Sequence, residues 1–131
     1  MPQVIDWVQT LTILTDARKL LSRTGAWTQG AYARDAAGVG LRASEPTACS
    51  WCIQGAMFKV RNLTGNLATP EILRAQEALL RHTNESDTAG LWCWNDQPGR
   101  TQEEVLDLFD KALLSVEDTF FSRPLAEESS Q

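Results

Sequence analysis

Long apolar runs are missing from this 131-residue chain. Nothing approaches the roughly 20 residues that a membrane-spanning helix requires, so a membrane partner is not expected. Basic charge is also scarce, with 12 Lys and Arg against 17 Asp and Glu, a net charge of −5. Binding to nucleic acid without sequence preference needs Lys and Arg to neutralise phosphates, and this balance argues against it. Histidine occurs once, at His82, and the three cysteines are an odd number. A disulfide framework is not expected from that set. Met1-Pro2-Gln3-Val4-Ile5-Asp6 has no basic region ahead of an apolar stretch, so no signal peptide is expected and a cytoplasmic location follows. No glycine-rich phosphate loop is present either, because Gly38-Val39-Gly40 lacks the third glycine and a following helix.

What is present describes an ordinary soluble domain, with 43% hydrophobic and 22% charged residues. Its length suits one domain with a real core. A single globular unit is expected over residues 1–118, and an acidic, fraying tail over 119–131. The acidity is uneven. Residues 101–131 hold eight acids and two bases, whereas residues 1–100 hold nine acids and ten bases. The acidic end is either a solvated helix face or a surface for a protein partner with a basic surface.

The hydrophobic pattern predicts a mostly α, compact bundle of four to five helices. Val4, Ile5, Val8 and Leu11, then Leu14, Ala17, Leu20 and Leu21, recur at helical spacing and predict one or two helices over residues 3–23. Pro2 suits its start and Thr24-Gly25 its stop. A short β-hairpin is expected near residues 33–41, with Ala37-Gly38 at its turn. Residues 47–60 are apolar on almost all sides and predict a central helix, capped by Thr47, with Gly55-Ala56 allowing a neighbour to approach. Residues 62–66 read as a turn. Thr69-Pro70-Glu71 starts an amphipathic helix to about Arg81. Residues 84–90 read as a polar loop and Leu91–Trp94 as a short apolar run. The helix at 101–117 is expected to pack on the helix at 47–60.

The most informative segment is Trp94-Asn95-Asp96-Gln97-Pro98-Gly99-Arg100-Thr101-Gln102-Glu103-Glu104-Val105. Thr101 and Glu104 form a capping box, and Pro98-Gly99 sets the turn before it. Asn95, Asp96 and Arg100 then stand beside a helix N-terminus, a geometry that attracts anions.

Other candidates for chemistry are weaker. Cys49-Ser50-Trp51-Cys52 is a C-x-x-C whose sulfurs would share a face on one helix, but the βαβ context of a redox motif is missing. The most economical zinc set is Cys49, Cys52, His82 and Cys93, and its spacing matches no compact zinc pattern. The alternative for each cysteine is a small buried hydrophobe. No local partner makes His82 a base or helps a nucleophile. No cofactor is implied. Trp7, Trp27, Trp51, Trp92 and Trp94 are many for this length; each reads more readily as core than as site, though tryptophan is also enriched at binding hot spots. One of Trp92 and Trp94 is expected to pack under the turn at 95–100.

Several motifs occur together: Trp27-Thr28-Gln29-Gly30 with Ala33-Arg34-Asp35-Ala36-Ala37-Gly38; Trp51-Cys52 followed by Gly55-Ala56; and Trp94-Asn95-Asp96 with Pro98-Gly99-Arg100-Thr101, Glu104-Val105 and Leu108-Phe109-Asp110. This set resembles a family of small uncharacterised proteins of actinobacteria and their phages, a domain of unknown function, over about residues 10–116. The resemblance implies a bacterial or phage cytoplasmic protein and supplies no activity. In that pattern an aliphatic residue is usual at the position of Cys49, and a histidine is frequent at that of Gln102. Both departures weaken catalytic chemistry here.

The polar members Trp27, Gln29, Arg34, Asp35, Asn95, Asp96, Arg100 and Thr101 are the candidate ligand site or polar network. Arg34, Asp35, Asn95, Asp96 and Arg100 are expected to lie close together. Three functions follow: a non-enzymatic binding module that could modulate a host or defence protein, a small-ligand binder or enzyme using that polar pocket, or a zinc-stabilised domain.

Overall fold

The computed structural model describes residues 4–63, 69–85 and 88–119. Five helices surround one core: α1 (Val4–Leu21), α2 (Ile53–Val60), α3 (Pro70–Leu80), α4 (Thr88–Asn95) and α5 (Gln102–Glu117). Three two-residue strands lie between α1 and α2: β1 (Ala33–Arg34), β2 (Gly40–Leu41) and β3 (Ser50–Trp51), in the order β2-β1-β3. Both pairings are antiparallel. The fold is mostly α and compact, as the periodicity predicts. The tail beyond residue 119, Pro2 and positions 64–66 of the expected turn lie outside the described residues.

α1 is one unbroken helix of 18 residues, so the expected break near Thr10–Thr15 does not occur. Ile13, Leu14, Ala17 and Leu21 are fully buried along it. It packs against α2, α5 and α3 and is the hub of the molecule. α5 therefore lies on α1 and α3 rather than on α2. Val105, Leu108, Phe109, Ala112 and Val116 form its buried stripe, at helical spacing. Asp107 pairs with Lys111 at 3.0 Å on its outer face, and Asp110 with Arg18 of α1 at 2.6 Å. Both pairs are exposed and contribute little to stability.

Gln102 joins α1 to α5. Its amide donates to the Leu21 carbonyl at 2.6 Å and the Arg23 carbonyl at 2.7 Å. The Leu21 carbonyl lies in the last turn of α1, where carbonyls have no partner within the helix, and the Arg23 carbonyl beyond it also accepts from the Ala26 N–H at 3.0 Å. Gln102→Ala is expected to lower unfolding free energy by about 1 kcal/mol, since the Leu21 carbonyl loses its Gln102 donor while the Arg23 carbonyl keeps the Ala26 N–H. Urea titration measures this; a loss below about 0.5 kcal/mol would remove Gln102 from the account of how α1 ends.

The expected helix over 47–60 is shorter. Residues 50–51 are β3, and α2 begins only at Ile53. Trp51 explains the difference. Its N–H donates to the Ala26 carbonyl at 2.7 Å, its carbonyl accepts from the Thr28 N–H at 2.9 Å, and its indole N–H donates to the Ala43 carbonyl at 3.0 Å. Tertiary pairing thus takes this apolar stretch out of the helix. The cap is Cys52, whose sulfur accepts from the Gly55 N–H at 3.3 Å, and not Thr47. α2 is otherwise buried on most sides, through Ile53, Gly55, Ala56, Met57 and Phe58.

Thr69 stands at the N-cap of α3 without a side-chain capping bond, and Glu71 in the first turn pairs with Arg61 at 3.2 Å. Part of the expected polar loop and the whole short apolar run are α4. Its carboxyl end carries Trp92, Trp94 and Asn95 towards the sheet side of the molecule, which positions the site.

Candidate functional site

The hairpin sets one wall. Asp35 Oδ1 accepts from the N–H groups of Ala37 and Val39, both at 2.9 Å, so its carboxylate builds its own turn. Gly38 closes that turn at a φ of +85°, a conformation that favours glycine. Arg34 reaches back: Nη1 donates to the Gly38 carbonyl at 2.9 Å, Nη2 to the Gln29 carbonyl at 2.9 Å, and Nε to Thr28 Oγ1 at 3.1 Å. The guanidinium fork joins the turn to the loop at 27–30.

Asn95 sets the other wall from the last position of α4. It is 1% exposed. Its Oδ1 accepts from the Trp27 indole N–H at 2.8 Å and from the Ile53 N–H at 3.1 Å. Its Nδ2 donates to the Thr28 carbonyl at 3.2 Å and to Asp96 Oδ1 at 2.9 Å. All four bonding positions of the amide are filled, across three separate segments. Asp96 Oδ1 also accepts from the Gly30 N–H at 3.0 Å. Gln29 returns the contact, donating to the carbonyls of Asn95 at 2.9 Å and Gln97 at 3.0 Å.

Arg34, Asn95 and Asp96 therefore belong to one network, joined through Trp27, Thr28, Gln29 and Gly30. Asp35 and Arg100 bond elsewhere. Arg100 lies 3.7 Å over the Trp94 ring, donates to the Trp94 carbonyl at 3.0 Å, and pairs with Glu104 at 3.3 Å. Trp94 is thus the tryptophan under the turn. Thr101 Oγ1 accepts from the Glu104 N–H at 3.2 Å while Glu104 Oε1 accepts from the Thr101 N–H at 2.9 Å. The capping box is complete, and it puts the Glu104 carboxylate at the start of α5, where an incoming anion would have to bind. The Thr101 N–H, and the Arg100 guanidinium beside it, hold that carboxylate below its ordinary pKa.

The cysteines and His82 are placed apart in role. Cys49 and Cys93 are exposed and Cys52 is buried. Cys49 and Cys52 do not share a helix, because β3 separates them. His82 Nε2 lies 3.0 Å from Ser115 Oγ. Among the described residues, no group of three or more His, Cys, Asp or Glu could hold a metal ion. Burial pushes the Cys52 thiol from 9.0 up to about 11, with nearby Asp96 adding to the effect. It stays protonated at neutral pH and is a poor nucleophile. Iodoacetamide at pH 8 on the native protein is expected to modify Cys49 and Cys93 and spare Cys52, with all three modified in urea. Mass spectrometry of tryptic fragments checks this; native labelling of Cys52 would contradict the burial.

One feature of this corner has no motif in the sequence. Tyr32 follows the loop that Asn95 and Asp96 hold. Its ring stacks on Trp92 at 6.4 Å with 29° between planes, and meets Phe58 edge-on at 5.8 Å. Trp92 is half exposed, at 50%. With Gly30, Ala31, Cys52 and Gln54 these rings line a cavity of about 240 Å³. A helical reading of residues 88–95 would have set Trp92 and Asn95 three apart on one helix; the missing start signal for that helix concealed the pair.

None of the described helices is long and apolar enough to cross a membrane. Neither a curated protein nor a solved structure matches the chain. A family model does, over residues 7–113, which takes in the strands, the Asn95 network and most of α5. The chain belongs to a family of unknown function, DUF6197.

Proposed function

We propose that the chain is a non-enzymatic binding module for a protein partner, with its recognition surface at the end of α4. One observation carries this reading: Trp92 is 50% exposed on a helix end whose neighbour Asn95 is locked at all four bonding positions of its amide. A large ring held rigid at the surface loses little conformational freedom when a partner covers it. Such residues dominate protein interfaces. The polar groups of Arg34, Asn95 and Asp96 bond to the backbone and to one another, which supports a structural network over a ligand pocket at those residues.

The acidic face of α5, with Glu103, Asp107, Asp110 and Glu117, favours a partner with a basic surface by speeding its approach. We take the motif resemblance to proteins of actinobacteria and their phages as the guide, and it directs the search to a cytoplasmic host protein, including defence components. Affinity capture from an actinobacterial extract, at low and moderate salt, tests the reading. A specific protein retained in both conditions is expected; none in either would contradict it.

A further inference from the structure

We draw no further inference here: the strongest candidate, the groove where α1, α3 and α5 meet at Trp7, Arg74, Glu77, Arg81 and Val116, is walled by both signs of charge beside its apolar side chains, and nothing in the structure shows what covers it.

Discussion

Asn95→Ala is expected to destabilise the protein by about 4 kcal/mol. The substitution leaves the Trp27 indole N–H, the Ile53 N–H and the Thr28 carbonyl without their side-chain partner. Each buried polar group left unsatisfied costs about 1–3 kcal/mol, and partial relaxation keeps the sum below the maximum. A domain of this kind has about 5–15 kcal/mol in total, so this one side chain supports a large share. Urea unfolding followed by tryptophan fluorescence measures it, and a loss below about 1 kcal/mol would show that the network is not structural. Asn95→Asp sharpens the test. It places a carboxyl in a site that is 1% exposed, beside Asp96. Burial and the neighbouring carboxylate both raise the folded-state pKa of the introduced acid. A raised pKa means that stability is retained below the unfolded value, near 4, and is lost as pH rises. The variant should therefore sit closest to wild type near pH 4 and fall away from it towards pH 7.5.

Gly55→Ala is the second large effect. A methyl group there would lie 1.9 Å from the Tyr32 carbonyl oxygen and 2.8 Å from its carbon. That carbonyl is fixed, because it accepts from the Cys52 N–H at 3.2 Å. Alanine gains about 1 kcal/mol of helix propensity over glycine. The clash outweighs it, since α2 must move off the loop or the Cys52 bond must break. A net loss of about 3 kcal/mol is expected by the same unfolding assay. The displaced loop also carries Tyr32, so its stacking on Trp92 should weaken, and a change in near-ultraviolet circular dichroism would register that. A variant as stable as wild type would contradict the close approach of Tyr32 to α2.

These two residues show how legibility varied along the chain. Gly55 could be read, because a glycine in an apolar helix has few other uses. The capping box at Thr101 and Glu104 could be read because both partners lie within one turn. The Asp35 turn is equally local, yet its composition alone placed Asp35 with the distant polar residues. Asn95 was a candidate, but half of its side-chain partners are backbone groups at residues 28 and 53, and backbone groups leave no signature in composition. β3 and α4 were missed for a related reason. Ser50-Trp51 is a strand only because segments on either side bond to it. Thr88–Asn95 is a helix of eight residues with a weak apolar pattern, held by packing against α3 and α2 rather than by propensity. The Tyr32–Trp92 stack is hidden for the same reason, since it joins α4 to a loop without a motif.

Binding of a protein through the corner at Trp92 is the function proposed for the chain. Quantitative capture with three forms of the protein tests it most directly: wild type, Trp92→Ala, and Leu114→Ala on α5. Leu114 is 63% exposed and controls for loss of any surface hydrophobe. All three should melt within a few degrees of one another. The account predicts that Trp92→Ala retains about a tenth or less of the captured partner, while Leu114→Ala retains nearly all. Equal capture by wild type and Trp92→Ala would contradict it.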